Sequence, residues 1–274
     1  MEPLNRNRVI VAMDDMDLSV SVALTQLITG HVAGVKYGFE LLCIDGADRI
    51  MSFMDGLNVP VFLDPKLHDI PNTAAKAAKK LARLGVWIIN VHCSGGAKMM
   101  EAVRAAVDEV WEKERDEWGL KIKPLVIGVT VLTSHNWRSL ADVGFFANEI
   151  THAFVGHEDE CFEKARIESV QALTVKLARL AQASGLDGVV SSPQEAQAIR
   201  QACGPTFQIV TPGIRLQVEA GTMDDQVRIA TPAGAILAGA DWLVIGRPVT
   251  KSENAVATLK KINLQVADAL AQKH

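Results

Sequence analysis

The chain has 274 residues, 49% of them apolar and 22% charged, which is enough apolar mass for a sizeable soluble core. Its formal net charge of −4 gives no electrostatic support to non-specific nucleic-acid binding, although a local basic pocket for a small anion remains allowed. No apolar stretch approaches a membrane span, Val9–Met13 is too short for a signal-peptide core, and Cys43, Cys93, Cys161 and Cys203 form no CxxC pair, so a cytoplasmic protein with reduced core thiols is expected.

Short Val/Ile/Leu-rich runs alternate with segments of helical composition. Arg8–Met13 reads as a strand, Leu18–Ile28 as a helix, and Val32–Tyr37 and Val59–Asp64 as strands. Thr73–Leu84 is helical, Val86–His92 a strand, Ala97–Trp111 helical and Pro124–Leu132 a strand. Gly144–Glu160 breaks the rhythm and reads as a surface insertion after the fifth strand; its charged tail, His157–Glu160, reads as a solvated face. Cys161–Ala183 is helical, followed by strand runs Asp187–Ser191, Gln208–Thr211 and Trp242–Gly246. The last segment, Ser252–Gln272, places Val256, Leu259, Ile262, Val266 and Leu270 at helical spacing.

Continuous apolar runs suit parallel strands buried on both faces, and eight of them alternating with helices point to one (β/α)8 TIM barrel over residues 1–274. The competing fold is a doubly wound open sheet, which has no strict strand number. In a barrel the chemistry sits at the C-terminal strand ends, here Asp14, Lys36, Asp64–Asp69, His92, Thr133, Ser191–Ser192, Pro212–Arg215 and Gly246–Arg247.

The most informative string is Asp64-Pro65-Lys66-Leu67-His68-Asp69-Ile70-Pro71-Asn72-Thr73. Asp64 and Lys66 are two apart and can share a side of an extended segment, and flanking carboxylates keep a lysine charged. A bland alternative exists, a strand-end ion pair before a helix with Pro71 in its first turn, but it leaves the full string unexplained. Thr211-Pro212-Gly213-Ile214-Arg215 and Ile245-Gly246-Arg247-Pro248 end the last two strand runs, where such barrels commonly hold phosphate; the glycines permit close approach and an arginine grips phosphate through two parallel bonds. His92 reads as a hydrogen-bonded histidine near the barrel mouth. No HExxH, GxxxxGK[ST] or strand-helix GxGxxG occurs, so neither a zinc site nor a nucleotide cofactor has a fingerprint here.

The Asp-x-Lys-x-x-Asp-Ile-Pro-Asn-Thr string resembles the active-site signature of orotidine 5′-phosphate decarboxylases, and the similarity continues in order through Ala12-Met13-Asp14, Val35-Lys36-Tyr37-Gly38, Val129–Ser134, Val210–Arg215, Asp225–Arg228 and Val244–Pro248. Pro65, where an apolar non-proline is usual, and the length of Gly144–Glu160 depart from the pattern. The resemblance implies decarboxylation of orotidine monophosphate to UMP, the last step of de novo pyrimidine nucleotide synthesis, without metal or cofactor. It implies that Lys66 protonates C6 of the pyrimidine, that Asp64 faces the substrate carboxylate, and that Lys36 completes the charge network near the ribose. Asp14 then contacts the ribose, Thr133 the pyrimidine amide edge, and Arg215, Gln226, Gly246 and Arg247 the phosphate. Asp15, beside Asp14, reads as a surface residue. Asp69 and Thr73 reach into the neighbouring subunit's site, which makes the expected assembly a homodimer. The loop Gly213–Arg228 reads as a lid.

Two rivals stand beside this reading. One is a related Mg²⁺-dependent barrel acting on sugar phosphates, in which a similar DxKxxD is followed by a small residue and glycine instead of Ile-Pro-Asn-Thr. The other is a non-catalytic phosphate-binding barrel.

Overall fold

The structure is a computed structural model that describes residues 7–146, 160–216 and 230–273. Eight parallel strands close on one another in chain order: β1 (Val9–Ala12), β2 (Gly34–Tyr37), β3 (Val61–Leu67), β4 (Ile88–His92), β5 (Leu125–Val129), β6 (Gly188–Val190), β7 (Gln208–Thr211) and β8 (Trp242–Ile245). β1 pairs with β8, at Ile10↔Val244, so no edge is left open and the barrel, not the open sheet, is the fold. Each expected strand run coincides with one of these strands, and seven contain theirs whole; β3 runs on past the expected end at Asp64 to Leu67.

The helices are α1 (Leu18–Ile28), α2 (Phe39–Ile44), α3 (Ala47–Met54), α4 (Pro71–Arg83), α5 (Ala97–Glu109), α6 (Trp137–Asp142), α7 (Glu160–Ala183), α8 (Ala196–Cys203), α9 (Pro232–Ala238), α10 (Arg247–Thr250) and α11 (Ala255–Gln272). Helical periodicity accounts for the long ones. α1 buries Leu18, Ser21, Thr25 and Ile28, and α11 buries Ala255, Leu259, Ile262, Val266 and Ala269, one face each. Asn254 caps α11 by accepting from Ala257 N at 2.9 Å. α4 starts with Pro71 in its first turn and buries the small side chains Ala74, Ala78 and Ala82, which let α5 pack closely against it.

Strand alternation divides the core in two. Val9, Val11, Val35, Leu63, Ile89, Val126, Val189, Ile209 and Leu243 face outward into a shell shared with the helices. Ile10, Ala12, Phe62, Ile88, Ile127, Val210, Trp242 and Val244 fill the barrel interior. At the N-terminal end Trp87 and Trp242 meet edge to face, 5.0 Å between centroids, with the Arg8 guanidinium over Trp242.

One expectation changes, and one expected helix runs on past its end in a different winding. Cys93 and Cys203 are buried as expected, and burial pushes the Cys93 thiol up to about 12, but Cys43, on the short helix α2, is exposed. Ala97–Trp111 ends as an α-helix at Glu109 and passes into a π turn over Val110–Glu114. Of the expected insertion, residues 147–159 lie outside the described residues, as do 217–229 of the expected lid.

Candidate active site

The C-terminal ends of the strands open onto a cavity of about 350 Å³. Its charged lining comes from different strands: Asp14 and Asp15 just after β1, Lys36 on β2, Asp64 and Lys66 on β3, Arg215 after β7 and Arg247 after β8. Thr133 and Gly246 also line it. Eight of the expected site residues therefore converge from across some two hundred positions of sequence, as strand ends of a closed barrel must.

At the centre lies a chain of ion pairs. Lys36 Nζ is 3.1 Å from Asp14 Oδ1 and 3.3 Å from Asp64 Oδ2, and Lys66 Nζ is 2.8 Å from Asp64 Oδ1. Lys36 and Asp64 are buried; Asp14 is half in solvent. Burial pulls the Lys36 pKa down, but the carboxylates of Asp64 and Asp14 outweigh it and hold the pKa above the ordinary lysine value. Burial likewise pushes the Asp64 carboxyl up, yet Lys36 and Lys66, with hydrogen bonds from Lys66 and Asn90, hold it below the usual carboxylate value. The pair is therefore a charged network, not a shared proton.

The backbone under this network is irregular. β3 pairs with β4 at Leu63↔Ile89 and again only at Leu67↔Val91, so a bulge falls over residues 64–66. Pro65 sits in that bulge, where a missing N–H breaks no ladder bond, which explains how a proline is tolerated there. Lys66 has φ of 49°, a left-handed conformation that costs a residue with a Cβ about 1–2 kcal/mol. The lysine reaches Asp64 through this strained turn, not along the regular extended segment that the spacing suggested.

Glycine matters at two points. A side chain at position 38 would put its Cβ 2.6 Å from Asp14 Oδ1 and 3.1 Å from Lys36 Nζ, so any other residue there would displace the ends of that ion pair. Gly213, at φ 78°, makes the left-handed turn that carries the chain from β7 to Arg215. Arg215 N then donates to Ala230 O and Ala230 N to Gly213 O, which ties the chain after β7 to the residues just before α9.

Asp69 and Thr73 do not join the cavity of their own chain. Both are exposed, and the Asp69 carboxylate accepts from the next backbone N–H, of Ile70, at 2.6 Å. Among the described residues Lys66 is ion-paired with Asp64 alone. Gln226 lies outside the described residues. Asp15 is exposed, as expected, and sits at the cavity rim with φ 59° and Lys251 Nζ 3.8 Å from its carboxylate. At His92 the structure records a tilted ring pair with His68, 5.4 Å between centroids.

Asn90 was not anticipated. It is 1% exposed on β4, donates to Asp64 Oδ1 at 2.5 Å and accepts from Lys66 N at 2.8 Å. Its signal was present: in Ile88-Ile89-Asn90-Val91-His92 the alternation puts Asn90 on the inward face with Ile88, a lone amide inside an apolar strand.

A closed parallel barrel with two lysines and two carboxylates ion-paired at the open end of its strands defines the chain as a (β/α)8-barrel enzyme. Residues 7–262 match the orotidine 5′-phosphate decarboxylase / HUMPS family. Curated relatives named orotidine 5′-phosphate decarboxylase include those of Neisseria meningitidis serogroup C, 41% identical over 95% of this chain and 93% of the relative, and Tolumonas auensis, 41% identical over 95% and 98%. A crystal structure of orotidine 5′-phosphate decarboxylase from Lactobacillus acidophilus superposes with a TM-score of 0.67 at 28% identity, covering 95% of this chain and 99% of that one. The chain belongs to the orotidine 5′-phosphate decarboxylase / HUMPS family, and with it to the decarboxylating lyases.

Proposed function

We propose that this chain decarboxylates orotidine 5′-phosphate to UMP and CO₂, the last step of de novo pyrimidine nucleotide synthesis, as a metal-free cytoplasmic enzyme with one barrel domain per chain. The observation that carries the reading is the Asp14–Lys36–Asp64–Lys66 chain at the cavity floor, on a chain whose curated relatives bear that name at 41% identity.

Loss of CO₂ leaves an electron pair on C6 that the ring cannot delocalise, so fixed charge must stabilise it. Lys66 offers an ammonium held at 2.8 Å by Asp64. It faces the carbanion as it develops and then gives C6 a proton, the new C–H replacing the broken C–C bond; water restores the lysine's proton. Asp64, buried and negative, faces the substrate carboxylate and favours its departure. Lys36 keeps Asp64 charged and, with Asp14, meets the ribose. Thr133 meets the pyrimidine amide edge. Arg215, Arg247 and Gly246, with Gln226, take the phosphate, whose binding far from C6 is used to raise kcat. Each carboxylate at the floor is already occupied by a lysine, Asp14 by Lys36 and Asp64 by both, and among the described residues no three His, Cys, Asp or Glu side chains converge as metal ligands. That arrangement favours ammonium chemistry over the Mg²⁺-dependent sugar-phosphate rival.

The second part of the proposal is a homodimer with shared sites. Asp69 and Thr73 are exposed and lie outside the lining of their own chain's cavity, and Ile70 between them is 67% exposed. Phe39, Ile44 and Phe53, on the α2–α3 segment beside β3, are also exposed, a set of apolar side chains suited to an isologous interface. Asp69 of one chain would give Lys66 of the other its second carboxylate.

The test is an ultraviolet assay of purified protein with orotidine monophosphate in excess EDTA. Turnover unchanged by the chelator is expected. Activity lost to EDTA and restored by Mg²⁺ would point to the sugar-phosphate rival, and absence of turnover under all conditions to a binding barrel.

A further inference from the structure

We infer that Asn90 is a positioning residue for the Asp64–Lys66 pair: its carboxamide holds the Lys66 backbone in its left-handed turn and fixes which oxygen of Asp64 faces the lysine. What the pair accomplishes rests on the decarboxylase reading above; the clamp itself is a matter of geometry.

The bulge in β3 creates the need. Between Leu63↔Ile89 and Leu67↔Val91 no backbone pairing links β3 to β4, so the Lys66 N–H has lost its ladder partner. The Asn90 side chain supplies one, Oδ1 accepting from Lys66 N at 2.8 Å. With φ at 49°, the lysine would otherwise relax toward negative φ and carry its Nζ with it. The other half of the carboxamide donates from Nδ2 to Asp64 Oδ1, the same oxygen that receives Lys66 Nζ, while Oδ2 faces Lys36 at 3.3 Å. The amide has one workable orientation, because its acceptor must meet an N–H and its donor a carboxylate. One buried side chain thus ties backbone to carboxylate, and the two groups that flank the reacting carbon move as a unit.

No apolar residue of similar size makes either bond. Aspartate at 90 keeps the acceptor for Lys66 N–H but sets a second negative charge against Asp64. Once protonated it regains a donor and becomes a close copy of the amide. The charged and titratable groups around such a carboxyl are Asp64 and Lys66 on β3, Lys36 on β2, and His92 on β4 itself, whose ring neighbour is His68.

The experiment compares wild type, Asn90→Ala and Asn90→Asp for kcat and KM with orotidine monophosphate across pH, for UMP affinity by calorimetry, and for the crystal structure of Asn90→Ala. Asn90→Ala should lose about ten- to hundredfold in kcat, the scale of a displaced catalytic group, while UMP affinity stays within about threefold. Its crystal structure should show Lys66 out of the left-handed region or Asp64 rotated. Asn90→Asp should be at least as slow at neutral pH and regain turnover as pH falls, which Asn90→Ala should not. The inference is overturned if folded Asn90→Ala turns over within about threefold of wild type, or if kcat and UMP affinity fall in parallel, the mark of a purely structural role. If Asn90→Ala does not fold, the pH recovery of Asn90→Asp decides, and its absence counts against the clamp. A wild type inactive on orotidine monophosphate would remove the decarboxylase reading alone; the Asn90→Ala structure would still decide the clamp.

Discussion

The two ends of this barrel are built from the same eight strands and solve opposite problems. At the N-terminal end two carboxylates are closed off within the chain. Asp187, just before β6, accepts from Val126 N at 2.7 Å and pairs with Arg104 at 2.7 Å. Asp241, before β8, accepts from Ile209 N at 2.8 Å and from Arg200, whose guanidinium also caps Gly204, Phe207 and Gly239 carbonyls. These charges staple one strand to the next, and Trp87 meets Trp242 edge to face in the barrel interior. At the C-terminal end the charges face a cavity, the backbone of Lys66 is strained, and Asp69 and Thr73 are exposed outside that cavity. Along β3 the change takes two residues, from Phe62 in the packed interior to Asp64 in the ion chain; along β4 it takes Ile88 to Asn90. The base is complete within one chain. The mouth, on the proposed reading, is not.

This contrast predicts a crossed result. Lys66→Ala should lower turnover on the order of 10³-fold or more, about 4 kcal/mol of barrier, with urea stability little changed and UMP still bound. Trp87→Ala should do the reverse, costing roughly 3–5 kcal/mol of stability while the folded fraction keeps a near-normal kcat. Equilibrium unfolding and steady-state kinetics on both variants decide it; a catalytic defect in Trp87→Ala matching that of Lys66→Ala would erase the division between the ends.

Arg247→Ala should have a smaller effect, about ten- to hundredfold in kcat/KM for the intact nucleotide. The nucleoside lacking the phosphate should lose far less from the same change. Equal losses on the two substrates would put Arg247 outside the phosphate site.

The smallest effect is one of pH. The folded Asp64 carboxyl titrates below its unfolded value. Its contribution to stability is therefore complete above the ordinary carboxylate pKa of about 3.9 and is lost as pH falls through the depressed value. The folded Lys36 titrates above its unfolded value, so its contribution is complete below the ordinary lysine range and fades only as pH rises past it. The stability gap between wild type and Asp64→Asn, measured in urea, should hold through neutral pH and change on the acid side. A gap flat down to about pH 3 would mean the Asp64 network does not carry the charge assigned to it.

The barrel was legible because parallel strands buried on both faces leave unbroken apolar runs, and Gln208–Thr211 even matches its strand end for end. The short helices were not. Phe39–Ile44 and Ala47–Met54 are too brief for a helical period to show, and Gly46 separates them. At the site, Lys36, Asp64 and Lys66 stood out as charges at the ends of apolar runs. Asn90 did not, since a neutral amide breaks no charge pattern and its role arises only where the β3 bulge leaves Lys66 N–H without a ladder partner. Gly38 matters through a clearance to Asp14, a long-range packing fact with no local trace in the sequence.

Whether the mouth is completed by a second chain is most directly tested by mixing two dead variants. Lys66→Ala and Asp69→Ala are unfolded together in equal amounts and refolded. Random pairing makes about half the dimers mixed, and in each of those one site carries both changes and the other neither, so roughly a quarter of all sites should be wild type. Recovery of turnover toward that level is the expected result. A mixture that stays as inactive as its parents, with mixed dimers shown to form, would place Asp69 in its own chain's site and contradict the shared-site account.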